Sequence, residues 1–189
     1  MNEQNALPIN GAEISRRFSE DGYYFPIIAF SEQEAAFDVE QLHSLESRNQ
    51  GRPLGNKGQI NLPHVIFRFA DDIVRNSRIL DAVEAIIGPD ILVWGSTFFI
   101  KEPHSETYIS WHQDLRYWGL DGDAEVSAWV ALSPVTVANG CMRFLPGSHK
   151  GEMLPHRDTF SEDNFLTRGQ EAEIEIDETD TINVLLRPG

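Results

Sequence analysis

Two short motifs place a histidine two residues before an aspartate: His112-Gln113-Asp114 and His156-Arg157-Asp158. An imidazole and a carboxylate that meet at one point supply two of the three protein ligands in the two-histidine, one-carboxylate sites that bind Fe(II). The chain has six histidines, so this spacing also arises by chance. The surroundings of each motif must therefore decide between them.

The surroundings favour His112 and Asp114. Both lie between two predicted strands, and residues i and i+2 of an extended segment project to the same side. His156 lies in the polar stretch 150–170, whose sequence has no periodicity that would hold a ligand in place. We therefore predict a metal pair at His112 and Asp114. A structural histidine that hydrogen-bonds to a nearby carboxylate is the alternative that the spacing leaves open.

The elements that must position this pair change in type along the chain. Ser31 and Glu34 form a capping-box sequence, which predicts a helix to about residue 48. Further helices are predicted over residues 13–18 and from residue 71 or 77 to 87, and residues 51–58 are predicted to form a loop. Strands are predicted over residues 91–100, 125–132, 141–145, 172–176 and 181–186. This order predicts an α+β domain with a β-sandwich or barrel core.

Composition limits the possible functions. The 189 residues carry 15 Lys and Arg against 30 Asp and Glu, for a net charge of −15. Nucleic acids and anionic membranes are bound mainly by clustered basic residues, so neither is expected as a partner. No run approaches the roughly 18 apolar residues that a membrane span needs. With one cysteine and no secretory signal at its start, the protein is expected to be soluble and cytoplasmic.

Four segments appear in an order and spacing that resemble the phytanoyl-CoA dioxygenase family of Fe(II)/2-oxoglutarate oxygenases. They are residues 98–103 (FFIKEP), 111–114 (WHQD), 127–133 (SAWVALS) and 139–150 (NGCMRFLPGSHK). The resemblance implies a double-stranded β-helix, a jelly-roll or cupin-like barrel, behind N-terminal helices. It also implies that His112 and Asp114 are iron ligands, that Gln113 and Trp129 line the 2-oxoglutarate pocket, and that His149 belongs to a structural loop.

The activity implied by the resemblance is hydroxylation of a small organic molecule. In such a reaction 2-oxoglutarate and O₂ are converted to succinate and CO₂, with Fe(II) as cofactor. Two alternatives remain open from the sequence. One is a catalytically silent barrel that binds a small molecule or is an inactive fragment, and the other is a cupin-type metalloenzyme that does not use 2-oxoglutarate.

One departure from the family pattern concerns the end of the chain. The family's third ligand, a histidine, and the arginine that clamps 2-oxoglutarate both follow the segment that resembles residues 182–189 (INVLLRPG). We therefore expect residues 1–189 to be one oxygenase-like domain that is incomplete at its C-terminus. The chain by itself is expected not to turn over.

Overall fold

The computed structural model describes residues 9–50, 59–122 and 124–189, so the loop predicted over residues 51–58 lies outside the described residues. Six α-helices occupy the first two thirds of this described part, and short strands dominate the rest. The helices are α1 (Gly11–Asp21), α2 (Glu32–Arg48), α3 (Pro63–Ile66), α4 (Arg68–Val74), α5 (Ser77–Ile87) and α6 (Leu115–Trp118). The strands are β1 (Gln59–Asn61), β2 (Thr97–Phe99), β3 (Arg143–Phe144), β4 (His156–Asp158), β5 (Gln170–Ala172) and β6 (Ile182–Asn183).

The predicted capping box opens α2. The Glu34 backbone N–H donates to the Ser31 hydroxyl at 3.2 Å, and the Glu34 carboxylate accepts from the Ser31 backbone N–H at 2.7 Å. Two backbone donors that a helix would otherwise leave without partners are satisfied in this way. The helix ends at Arg48, as predicted.

The strands pair two by two in antiparallel register. The pairs are β1 with β2, β3 with β6, and β4 with β5, with Gln59 opposite Phe99, Phe144 opposite Ile182 and His156 opposite Ala172. Single bridges also join Tyr108 to Asn164 and Val135 to Leu186. The α+β class is therefore confirmed. The closed double-stranded β-helix stays a prediction, because the described strands form three separate pairs.

One predicted strand is absent, and the other four pair over only part of their predicted length, at residues 97–99, 143–144, 172 and 182–183. Residues 125–132 alternate like a strand, yet the structure gives them no strand pairing. The Gly189 backbone N–H donates to the Ala131 carbonyl at 2.8 Å, but no strand of the described residues runs alongside the segment. A strand needs a partner for its backbone groups, and alternation along one segment does not supply that partner.

The helical half is tied to the strand half by specific contacts. Tyr23 stacks on Phe144 with ring centroids 4.8 Å apart, and His149 Nε2 donates to the Ser19 carbonyl at 3.2 Å. The His149 ring also lies where a Cβ of residue 22 would be, so Gly22, with φ of 85°, is the residue that allows both the helix end and this approach. Among the described residues, no helix has the length and apolar character needed to cross a membrane.

A buried carboxylate on α2 makes the stability of the fold depend on pH. Burial, followed by the charges of Glu34 and Asp72, raises the pKa of Asp38 from 3.8 to about 6. Because the folded chain binds this proton more tightly than the unfolded chain, the contribution of Asp38 to stability is greatest below about pH 4 and falls as the pH rises through about 6. Asp38→Asn is expected to remove this fall and to raise the free energy of unfolding at pH 8 by about 1–2 kcal/mol.

Urea unfolding at pH 4 to 8 tests this expectation. Asp90→Asn, at an exposed position, serves as the control and should leave the pH dependence unchanged. If the wild-type and Asp38→Asn chains lose stability in parallel between pH 4 and 7, the buried carboxylate is not the source of the dependence.

Candidate metal centre

The predicted pair lies in an irregular segment that is held against β5. The Ala172 backbone N–H donates to the Trp111 carbonyl at 2.8 Å, and the Ser110 hydroxyl donates to the Gln170 carbonyl. Asp114 follows as the residue that precedes α6. The segment is therefore fixed from both ends, by a strand before His112 and by a helix after it.

His112 and Asp114 meet as the spacing predicted. His112 Nε2 lies 3.0 Å from Asp114 Oδ1, and His112 Nδ1 lies 2.8 Å from the Ser110 carbonyl oxygen. A carbonyl only accepts, so Nδ1 carries a proton and Nε2 is the nitrogen that can bind a metal. This is the arrangement usual for metal-binding histidines, whose second nitrogen donates to a carbonyl or carboxylate.

The distance between the two groups also fits a shared ion. Two neighbouring ligands at about 2.1 Å from an octahedral ion lie about 3.0 Å from each other. The observed separation of Nε2 and Oδ1 is 3.0 Å. In the described part of the chain, no group of three His, Cys, Asp or Glu side chains could hold a metal, so His112 and Asp114 are the two candidate ligands there.

Without a metal, each of the two groups favours the charged form of the other. Burial disfavours charge on His112, but its hydrogen bonds to Asp114 and Ser110 outweigh burial and raise its pKa. Burial likewise opposes charge on Asp114, but its bonds to His112 and Ser127 prevail and lower its pKa. A divalent cation that binds here would replace the proton on His112 Nε2.

Two residues that the sequence did not single out as site residues complete the surroundings of Asp114. The Ser127 hydroxyl donates to Asp114 Oδ2, which leaves Oδ1 directed at His112. Ser127 Oγ also lies 3.5 Å from Glu125 Oε1, and burial together with the Asp114 charge raises the pKa of Glu125. If residues 125–132 were extended, their alternation would put Glu125, Ser127 and Trp129 on one side. That shared side is the sequence pattern from which Glu125 and Ser127 could have been identified as site residues.

Gln113 contacts different residues from those that His112 and Asp114 contact. Its side-chain oxygen accepts from the Leu154 backbone N–H at 2.8 Å, and its own backbone N–H donates to His156 Nε2 at 3.1 Å. Among the described residues its side-chain NH₂ makes no hydrogen bond, so this group is available to a ligand. Trp129 is 39% exposed and stands two residues beyond Ser127.

The other candidate histidines are engaged elsewhere. His149 binds the Ser19 carbonyl, in agreement with the structural role predicted for it. His156 has both nitrogens in use, because Nδ1 lies 2.9 Å from the Leu154 carbonyl and Nε2 accepts from Gln113. The sequence around His156 has no strand periodicity and was predicted not to hold a ligand in place, but it forms β4 because residues 170–172 pair with it.

Helix α6 carries two aromatic side chains that contact other rings. Trp118 stacks on Trp94 with ring centroids 4.9 Å apart and planes inclined by 3°. Tyr117 meets the His156 ring edge to face at 5.5 Å. The Tyr117 hydroxyl is buried and has no hydrogen-bond partner among the described residues.

Removal of this hydroxyl is expected to stabilise the protein. A buried polar group without a partner costs about 1–3 kcal/mol, so Tyr117→Phe should raise the free energy of unfolding by about 1 kcal/mol. Urea unfolding measures the change, and Tyr108→Phe, at a tyrosine that is 44% exposed, is the control with little expected effect. A clear loss of stability in Tyr117→Phe would mean that the hydroxyl has a partner in solution.

Comparison with known proteins identifies relatives across nearly the whole chain. The phytanoyl-CoA dioxygenase family profile matches residues 30–189. The chain is 29% identical over 161 residues to the probable alpha-ketoglutarate-dependent hypophosphite dioxygenase of Stutzerimonas stutzeri, covering 77% of this chain and 56% of that protein. It is 39% identical over 83 residues to peroxisomal phytanoyl-CoA dioxygenase of Homo sapiens, covering 42% of this chain and 25% of that enzyme.

Solved structures of a non-heme monooxygenase, ThoJ, share the fold. The apo form superposes with a TM-score of 0.76 at 34% identity and covers 93% of this chain and 65% of that chain. The ThoJ–Ni complex gives a TM-score of 0.67 at 30% identity, with coverages of 93% and 64%. The chain thus spans less than two thirds of the length of each of these relatives. The profile match and the shared fold together show that the chain belongs to the phytanoyl-CoA dioxygenase family.

Proposed function

We propose that the protein is an Fe(II)- and 2-oxoglutarate-dependent oxygenase that hydroxylates a small organic molecule. The observation that carries the proposal is the His112–Asp114 pair, with Nε2 and Oδ1 3.0 Å apart and Nδ1 fixed by a carbonyl. The family membership supports the same reaction class, and the Stutzerimonas relative is named as alpha-ketoglutarate-dependent. The substrates are a small molecule and O₂, with no nucleic acid involved.

Each residue of the centre has a distinct task in this proposal. His112 and Asp114 bind the iron on one side, and Ser127 holds the Asp114 carboxylate so that Oδ1 faces the ion. Iron and 2-oxoglutarate, when bound, supply the oxidising chemistry that activates O₂ and releases succinate and CO₂. The available NH₂ of Gln113 and the indole of Trp129 are proposed to bind 2-oxoglutarate.

We further propose that the three strand pairs belong to a double-stranded β-helix. The support is the superposition on the ThoJ monooxygenase over 93% of this chain. Such a barrel would bring residues 125–132 alongside the metal segment, where the Ser127 hydroxyl already contacts Asp114.

Two other functions make different predictions for the same site. A cupin-type metalloenzyme would bind metal through His112 and Asp114 but would not respond to 2-oxoglutarate. A silent binding module would bind no metal with useful affinity. Metal binding therefore separates the silent module from both enzymes, and 2-oxoglutarate turnover separates the two enzymes.

Anaerobic titration followed by addition of O₂ tests the proposal. The full-length protein, loaded with Fe(II), is expected to develop the visible absorption of a 2-oxoglutarate chelate and then to release succinate when O₂ is admitted. Residues 1–189 alone are expected to bind Fe(II) but not to turn over, because the described residues supply two ligands. Iron binding without any response to 2-oxoglutarate in the full-length protein would favour the cupin-type function instead. Succinate release by residues 1–189 alone would show that another group of this chain completes the site.

A further inference from the structure

A concave surface lies between the start of α2 and α4, and none of the residues that line it belongs to the candidate metal centre. It has a volume of about 630 Å³, within the range of small-molecule pockets. Three phenylalanines and three carboxylates dominate its lining: Phe30, Phe37, Phe69, Glu34, Asp38 and Asp72. We call this surface the α2–α4 groove. Phenyl rings beside carboxylates are the combination that attracts organic cations.

Asp38 is the unusual member of this lining. It is only 8% exposed, and within the described ranges its carboxylate has no hydrogen-bond or ion-pair partner. Charge on a mostly buried carboxylate is disfavoured, and such groups are normally paired in native proteins. Burial, followed by the charges of two neighbouring carboxylates, also raises the pKa of Asp38. A cation bound in the groove would favour the charged carboxylate.

The other two carboxylates are already engaged, which decides what kind of cation fits. The Glu34 carboxylate closes the capping box with Ser31, and Asp72 pairs with Arg68 at 2.9 Å. Of the three carboxylates, only that of Asp38 has no partner within the described ranges. Divalent ions such as Mg²⁺ and Ca²⁺ need six or more oxygen ligands, so one carboxylate among aromatic rings does not suit them.

The aromatic side chains suit an alkylated ammonium group. Phe37 is 56% exposed although it is a large apolar side chain on α2, and it lines the same groove as Phe30 and Phe69. Ring faces attract a desolvated ammonium through their quadrupole, and an opposing carboxylate adds charge pairing. Such sites bind methylated ammonium groups better than hydrated inorganic ions.

We propose that the α2–α4 groove is a binding site for a small organic cation, with Asp38 as the charge partner and Phe37 as an aromatic wall. The site is on different elements from His112 and Asp114, and the proposal does not depend on the oxygenase function. The net charge of −15 adds a long-range attraction for cations.

Isothermal titration of the full chain with tetramethylammonium chloride at pH 8 tests this site. The reference titrations use sodium chloride at equal ionic strength and tert-butanol, an uncharged molecule of similar size. Saturable binding with a dissociation constant on the order of 1–10 mM is expected for tetramethylammonium alone. Saturation-transfer NMR on the methyl groups gives an independent readout of the same contact.

Three variants connect the binding to the groove. Asp38→Asn and Phe37→Ala are each expected to weaken binding by about tenfold, the loss of one strong contact. Asp90→Asn, an exposed carboxylate outside the groove, should bind like the wild-type chain. Unchanged binding in Asp38→Asn, equal binding of tert-butanol, or displacement by millimolar Mg²⁺ would each overturn the proposal. Asp38→Asn is expected to fold, since the change removes an unfavourable buried charge, and Phe37→Ala alters an exposed side chain.

Discussion

Asp114→Ala is expected to lower the affinity for Fe(II) by about a hundredfold or more and to abolish succinate release in the full-length protein. The change removes one of the two proposed ligands that the described residues offer, together with the negative charge that would help to hold a divalent ion. The Asp114 side chain is 37% exposed, so the fold does not depend on it for core packing. Equilibrium dialysis under nitrogen measures the iron affinity, and circular dichroism measures the fold.

The matched control is Asp121→Ala, an exposed aspartate seven residues further along the chain. It changes the net charge by the same amount and should leave iron binding unchanged. If Asp114→Ala retains wild-type affinity and turnover, His112 is a structural histidine and the metal centre lies elsewhere.

Ser127→Ala is expected to weaken Fe(II) binding by about tenfold, a smaller effect on iron affinity than that of Asp114→Ala. The Ser127 hydroxyl contacts Asp114 Oδ2 and restrains the rotation of a carboxylate whose other oxygen faces His112. Loss of a hydrogen bond to a metal-binding side chain costs about 10- to 100-fold in affinity or activity. The iron affinity is measured as for Asp114→Ala, and Ser127→Thr keeps the hydroxyl and should retain most of the affinity.

A purely structural role for Ser127 would give a different result. Ser127→Ala would then lower the melting temperature without a change in iron affinity, and threonine would not restore binding selectively. The comparison of alanine with threonine therefore separates a positioning residue from a packing residue.

The longer helices α1, α2 and α5 could be predicted because their signals are local, whereas the short helices α3 and α6 were not predicted. Ser31 and Glu34 are three residues apart, and the same two side chains that form the sequence motif make the observed hydrogen bonds. The strands depend on partners that are distant in sequence. Residues 156–158 have no strand-like alternation and still form β4, because residues 170–172 pair with them. Residues 125–132 alternate well and form no strand for lack of such a partner.

In the candidate metal centre, likewise, the local contact could be predicted from the sequence and the long-range contacts could not. The contact of His112 with Asp114 follows from their spacing of two and was predicted. The contact of Ser127 with Asp114 joins residues 13 apart, and those of Gln113 with Leu154 and His156 span 41 and 43 residues. Such contacts depend on the three-dimensional path of the chain, which hydrophobic patterning in one sequence does not reveal.

The stacked indole rings of Trp94 and Trp118 give the protein an intrinsic spectroscopic probe. Indole rings 4.9 Å apart and nearly parallel couple their electronic transitions, so their ultraviolet circular dichroism depends on how they are arranged. Trp118 ends the single helical turn that begins just after Asp114. A ligand that shifts this turn would change the dichroic band, without any dye or engineered label.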